Sequence, residues 1–514
     1  KNMKKILFLS NIILNVAISV HAQAPAIQWQ KTLGGTSDDK ATSVQQTTDE
    51  GYIVGGYTYS TDGDVTGNHG GYDYWVVKLS STSSLEWQKT LGGTNNDIAN
   101  SVQKTTDGGY IVAGWSYSLD GDITGNHGGC DYWVVKLSSI GNIQWQKTLG
   151  GSSNDFAYDV KETTDGGFIV AGSTYSIDGD VTANQGGYDY WVVKLSSIGN
   201  IEWQKALGGT NNDTAHSIQQ TSDGGFIVAG TSPSTDGDVM GNHGFYDSWI
   251  VKLSSTGSIQ WQKALGGTAE DVANYIQQTT DGGYIIAGYT YSTDGNVTGN
   301  HGGGDYWVIK LSNTGYMEWQ KTLGGTNTDW AFSIQQTTDG GYIVAGQTTS
   351  LDGDVTGNQG IRDYWVIKLT SIGNIQWQKA LGGTNYDHSL SIQQTIDGGH
   401  IVAGWSNSID GDITSNQGSY DSWVVKLAPE SLSTNDSNLQ NSALIYPNPT
   451  KNFINITTEL NIQSISIVEL TGKQIYNTNT DTKNIDISTL QNGIYLLKIL
   501  TQNGTTKTEK IIKE

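Results

Sequence analysis

The chain has almost no cysteine. Cys130 is the only one in 514 residues, so no disulfide framework is available to it. A chain this long buries enough apolar surface to fold without staples. Long apolar runs are missing as well: past residue 22 nothing approaches about 18 consecutive apolar residues, so the mature protein is expected to have no membrane span. Positive charge is scarce where the bulk of the chain lies. The formal charge is −22; residues 1–23 carry +3 and residues 443–514 carry +1, which leaves −26 on residues 24–442. Such a surface repels phosphate backbones and anionic membranes and attracts cations, so nucleic-acid binding is not expected. Helical periodicity is absent from residues 24–442 too.

What is present begins at the N-terminus. Lys4 and Lys5, the mostly apolar stretch Ile6 to Val20 and the small residues of Ala22-Gln23-Ala24 read as a signal peptide over residues 1–22, with Met3 as the expected start.

The rest is dominated by one period. Trp29, Trp87, Trp145, Trp203, Trp261, Trp319 and Trp377 follow one another at 58 residues, and a second series at Trp75, Trp133, Trp191, Trp249, Trp307, Trp365 and Trp423 keeps the same step. Seven copies therefore run without insertion or deletion. Cys130 falls at a repeat position where most copies carry Tyr, and reads as drift. Each copy holds four short runs of β type; in the second they are SVQKTT, GYIVAGWSY, DYWVVKLSS and IQWQKTLGG. TDGG and SSIGN join them as tight turns, in which Gly or Asn accepts positive φ.

Four antiparallel strands per copy predict an all-β fold, a seven-bladed β-propeller over residues 23–428. The phase of the array favours a closed ring over a linear solenoid. The chain enters on a fourth-type strand around Trp29 and leaves on a third-type strand around Trp423, so the first strand is placed to complete the last blade and remove both free edges. Strand direction then puts TDGG and SSIGN at one end of the ring. The longer loops, such as SLDGDITGNHGGCD and LGGTNND, share the other end, where binding usually resides.

With GYIVAG, DYWVVKL and WQKTLGGT, the repeats are similar to propeller-like repeats of secreted and cell-surface proteins of Bacteroidota, a resemblance that implies fold and location rather than an activity. After Leu427 the period stops, and residues 429–442 read as a polar linker. Residues 443–514 carry YPNP at Tyr446 to Pro449, ELTGKQIY at Glu469 to Tyr476, IDISTLQNGIYLLKI at Ile485 to Ile499 and a terminal KIIKE. This segment resembles the type A C-terminal sorting domain of the type IX secretion system. The resemblance implies passage through the periplasm, recognition by the outer-membrane translocon, and a product released or attached at the surface. Its seven short alternating strands, with turns at Thr471-Gly472, Asn492-Gly493 and Asn503-Gly504, predict a small Ig-like β-sandwich.

One recurrent motif suggests a cation. Counting Asp62 as position one, Asp62, Asp64, Thr66 and Asp73 put oxygen side chains at one, three, five and twelve, with Gly67 at six, a spacing like that of a calcium loop of EF-hand type. Thr at five, Asp rather than Glu at twelve and the lack of flanking helices depart from that pattern. The set recurs as Asp120, Asp122, Thr124 and Asp131; Asp178, Asp180, Thr182 and Asp189; Asp294, Asn296, Thr298 and Asp305; Asp352, Asp354, Thr356 and Asp363; and Asp410, Asp412, Thr414 and Asp421. Met240 breaks it in the fourth copy, and Ala183 and Ser415 replace the Gly. Calcium is the one cofactor these residues suggest, against the alternative of Asp and Asn capping turns with no metal.

The remaining candidates favour structure. Asp39 and its six counterparts between blades, and the TDGG aspartates such as Asp107, read as turn formers, and the strictly placed tryptophans read as packing between blades. His69, His127, His243 and His301 alternate with Gln185, Gln359 and Gln417, which suits a polar loop contact better than zinc. No Ser or Cys stands out as a nucleophile. The expected function is a non-enzymatic binding or adhesion protein for a carbohydrate or surface ligand. A polysaccharide hydrolase with an acid pair on the loop end and a structural surface component without a ligand are the alternatives.

Overall fold

The computed structural model describes residues 23–430, 443–458, 461–469, 474–478, 483–501 and 506–514. The expected signal peptide, most of the expected linker and the turns at Thr471-Gly472 and Asn503-Gly504 lie outside them. The described residues divide into two compact units, residues 23–430 and the described part of 443–514, and among the described residues there is no helix.

The first unit is seven four-stranded antiparallel sheets. In the first blade the strands run Asp39–Gln46, Tyr52–Thr58, Asp73–Leu79 and Leu85–Leu91 from the inner to the outer edge. The seventh blade takes its outer strand from the start of the chain: Ile27–Leu33 pairs antiparallel with Asp421–Leu427, Trp29 opposite Lys426. The ring is thus closed by the two ends of the repeat array, and the edges that a linear array would expose are paired. At the TDGG turn between the first two strands of the second blade, Gly108 takes φ 84°, a conformation that side chains resist.

Blades adhere through apolar faces. Ile53, Tyr74 and Val76 of the first blade pack against Ala99, Tyr110, Val112 and Trp133 of the second, and equivalent clusters recur around the ring. Trp133 is fully buried, and its carbonyl accepts the Tyr74 hydroxyl at 2.8 Å. The outer-strand tryptophans also reach the next blade, as Trp87 does edge-on to Tyr110 with ring centres 5.8 Å apart. Packing between blades is therefore what both tryptophan series do.

The inner strands are joined by a second device. Gln45 accepts the main-chain N–H of Lys104 in the following blade at 2.7 Å, and Gln46 accepts that of Ile396 in the preceding blade at 2.8 Å. A Gln-Gln pair thus satisfies otherwise unpaired inner-edge donors in both directions. All seven inner strands carry a β-bulge at the residue equivalent to Thr42.

In the second unit, Ala443–Tyr446, Phe453–Thr458 and Asn484–Asp486 form one sheet, and Gln474–Thr478, Ile462–Glu469, Gly493–Thr501 and Thr506–Lys513 form another. Ile454, Ile456 and Ile485 from the first meet Ile465, Ile467, Leu497, Ile499 and Ile511 from the second in one core. The seven strands form the small sandwich that their alternation predicts.

Candidate functional site

The Asp-Gly-Asp loops and the crossovers between blades gather at one end of the ring, and each Asp has a partner there. Asp62 accepts both the main-chain N–H and the hydroxyl of Thr36, at 2.8 and 2.9 Å. Asp64 accepts the N–H of Gly34 at 3.3 Å. Both residues therefore fasten the crossover that brings the chain in from the seventh blade's outer strand. Thr66 instead meets Gln88, and its carbonyl accepts the Thr90 hydroxyl at 2.9 Å. Asp73 is fully buried and holds the main-chain N–H of His69 at 2.9 Å.

The other sets behave alike. Asp120, Asp178, Asp294, Asp352 and Asp410 cap Thr94, Ser152, Thr268, Thr326 and Thr384. Asp122, Asp180, Asn296, Asp354 and Asp412 accept from Gly92, Gly150, Gly266, Gly324 and Gly382. Thr124, Thr182, Thr298 and Thr356 meet Gln146, Gln204, Gln320 and Gln378. Thr414 is exposed beside Ser415. Asp131, Asp189, Asp305, Asp363 and Asp421 accept from residues 127, 185, 301, 359 and 417. The positions of the motif thus have different protein partners, and among the described residues no three His, Cys, Asp or Glu side chains converge as a metal group. In place of the usual Gly, Ala183 holds φ 70°.

Burial shapes the charge of these loops. It pushes the Asp73 carboxyl up to about 6, although His69 pulls the other way. Where Gln stands in place of His, burial takes Asp189 and Asp363 up to about 7 and Asp421 up to about 6. The histidines are carboxylate partners: Nδ1 of His69, His127, His243 and His301 lies 2.7 Å from Asp73, Asp131, Asp247 and Asp305. Gln417 spans the ring closure, donating to Asp64 at 3.1 Å.

Asp39 is fully buried and accepts the Gly35 N–H and Ser60 hydroxyl, both at 2.7 Å. At the opposite end, Asp107 accepts the Gly109 N–H at 3.0 Å and also holds the nearly buried Lys136 ammonium at 2.9 Å. Both series are turn formers, as their sequence setting predicts. The pairing of the third-strand lysine with the turn is visible only in three dimensions.

The loop end also holds a pattern that appears when the copies are compared column by column. Gly34, Gly35, Asp39 and Trp75 are identical in all seven copies. The position of Lys40 holds Ile98, Phe156, Thr214, Val272, Trp330 and His388, no two alike. The position of Tyr57 holds Trp115, Ser173, Thr231, Tyr289, Gln347 and Trp405, and that of Tyr72 holds Cys130, Tyr188, Tyr246, Gly304, Arg362 and Tyr420. These columns meet in space. Lys40 sits 5.0 Å over Trp405 and 4.6 Å over Tyr420, Trp330 stacks on Tyr289 at 4.8 Å, and Phe156 meets Trp115 at 5.5 Å. Tyr59, Tyr117 and Tyr175 stand exposed beside them. The framework is constant while these columns differ from blade to blade; Lys40, Tyr57, Trp115, Phe156, Trp330 and Trp405 are half-buried, and Ile98, Cys130, Ser173, Val272 and Gln347 are buried.

Comparison with known proteins bears on both units. Residues 444–514 match the family described as "Secretion system C-terminal sorting domain". The regulatory protein FlaEY of Caulobacter vibrioides is 24% identical over 423 residues, which cover 72% of this chain and 43% of FlaEY, less than half of that relative's length. Among solved structures, the WD40 domain of Neurospora crassa Pan2 is similar with a TM-score of 0.44 and 10% identity, over 80% of this chain and 99% of that one. PorZ, a surface component of the type IX secretion system of Porphyromonas gingivalis, has a TM-score of 0.20 and 10% identity, over 96% of this chain and 86% of that one. No helix among the described residues is long and apolar enough to cross a membrane, which says nothing of β-barrels. The chain is a seven-bladed β-propeller bearing, at residues 444–514, a C-terminal sorting domain that directs its export by type IX secretion to the cell surface or the medium.

Proposed function

We propose that the propeller is a non-enzymatic binding module whose ligand contacts lie on the loop-bearing end of the ring, and that the ligand is a glycan. The supporting observation is the blade-to-blade difference at the Lys40, Tyr57 and Tyr72 positions beside an invariant framework. Packing alone is satisfied by one residue per column, as Trp75 and its six identical counterparts demonstrate. Tyrosine and tryptophan at such positions offer flat apolar faces with a polar edge, which suits a sugar ring.

A hydrolase is the weaker reading. The acids of this end recur in near-identical sets, and each caps a loop, whereas glycoside cleavage needs one pair of carboxyl groups aimed across one bond. Incubating the purified protein with a panel of plant and microbial glycans tests the proposal. Binding without new reducing ends is expected, and turnover would overturn it. Failure to bind any glycan, peptide or host protein would favour a structural surface component instead.

A further inference from the structure

A cavity of about 450 Å³ runs between the inner strands, lined by residues 42–45 and their counterparts in the other blades. That volume suits a small molecule. Its wall has two levels, a ring of glutamines that offers donors and a level nearer the loop end where Asn100, His216 and Asn274 offer acceptors among Tyr158, Phe332 and Leu390. Gln45 and its counterparts in five other blades each turn the side-chain oxygen to a main-chain N–H of the next blade, at 2.6–2.7 Å. An N–H only donates, so these glutamines keep their NH2 groups, which are donors, for the cavity. The seventh member of the ring is Lys161, also a donor. Nearer the loop end, Asn100 donates its NH2 to the carbonyl of Ala157 at 2.7 Å, leaving its own oxygen as an acceptor. His216 lies with Nδ1 3.1 Å from the carbonyl of Ala273, so Nδ1 carries the hydrogen; burial keeps the ring neutral and leaves Nε2 an acceptor.

The glutamine ring breaks its symmetry at one point, where six blades have Gln and the third has Lys161. At the level of Ser43 five blades have Ser, the third has Asp159 and the fifth has Tyr275. The two form an ion pair at 2.5 Å, and Lys161 lies 5.9 Å from the ring of Tyr275. Asp159 is fully engaged: Ser101 and Lys161 occupy one oxygen, Ser217 and the Ile218 N–H the other. The ammonium has only that one carboxylate partner and retains donors toward the cavity. Placing an ion pair in a largely buried wall carries a desolvation cost, and the other blades show that Ser and Gln close the same wall without one. The fold therefore does not require this pair.

We propose that the central cavity binds a small hydroxy-carboxylate of the sugar-acid class, its carboxylate held by Lys161 and the glutamine NH2 ring and its hydroxyl groups donating to Asn100 and His216. A donor-only ring suits an acceptor-only group, and an ammonium whose charge is already shared with Asp159, in a chain of charge −22, favours a monoanion over a dianion. This site is separate from the loop-end face, so either reading can fail without the other.

Calorimetric titration of the full chain with glucuronate, glucose and inorganic phosphate tests it. Glucuronate is expected to bind with a Kd of about 1 mM or tighter, and glucose and phosphate at least about tenfold more weakly. The variant Asp159→Ser with Lys161→Gln restores the residues that other blades carry, so it should fold as well as the parent by circular dichroism and lose about tenfold in glucuronate affinity. No glucuronate binding by the parent, equal binding of glucose or phosphate, or unchanged glucuronate binding by the folded double variant would each overturn the proposal. If that variant fails to fold, Asp159→Asn with Lys161→Gln, which removes both charges and keeps a carbonyl acceptor, replaces it under the same criterion.

Discussion

His69 places Nδ1 2.7 Å from Asp73, a carboxylate with no exposed surface. The same burial that raises Asp73 to about 6 acts on Asp131, Asp305 and Asp421, also raised to about 6, and on Asp189 and Asp363, raised to about 7. Each folded-state value lies above the ordinary 3.8, so the stability these groups contribute is fully present below that value and is lost as pH rises through 6 to 7. Half-buried His388 and buried His400 are lowered by desolvation to about 3 and about 4, and their contribution runs the other way, falling away as pH drops below 6.5. Burial lowers His216 as well, so six groups oppose three. The urea midpoint is therefore expected to be higher at pH 5.5 than at pH 7.5, and a lower midpoint at pH 5.5 would contradict this assignment of charge.

Ala183 occupies the loop position where five other copies have Gly, and it holds φ 70°. A side chain in that conformation costs on the order of 1 kcal/mol relative to Gly. Ala183→Gly should raise the unfolding free energy by about 0.5–1 kcal/mol. The check is chemical denaturation; a loss of stability would show that the methyl group makes packing contacts worth more than the strain.

The aspartates of the Asp-Gly-Asp loops fasten crossovers, and that role needs no metal. Addition of millimolar calcium is expected to shift the melting temperature no more than magnesium does, since both screen a strongly negative surface. A rise specific to calcium would show that these loops hold the cation that the one-three-five-twelve spacing suggests.

The fold was legible in the sequence to a large extent. Alternation, TDGG turns and the phase of Trp29 against Trp423 were sufficient for seven blades closed by the first strand, because each signal is local or strictly periodic. The partners of the loop aspartates were not legible. Asp62 bonds Thr36, twenty-six residues upstream and across a blade junction, and spacing within one loop carries no information about that. Asp159 and Lys161 are inconspicuous for a different reason: a repeat consensus masks the copies that depart from it, and the signal lies in Asp159 against Ser43 and Lys161 against Gln45.

Export rests on the second unit. Deleting residues 443–514 should leave a folded propeller retained in the periplasm, because its strands pair only within the first unit. Fractionation with an antibody to the propeller measures this, and normal delivery of the truncated protein to the surface or medium would contradict the role of the sorting domain.

The central claim is that the loop-bearing end binds a ligand through residues that differ among blades. The most direct test replaces Tyr57, Trp115, Tyr289 and Trp405 together by Thr, the residue already present there as Thr231. The affinity of this variant is then measured for the glycan that the parent retains from the panel. Loss of these aromatic faces should weaken binding at least about tenfold while the β-sheet circular dichroism spectrum is kept. Unchanged affinity in the folded variant would contradict the account.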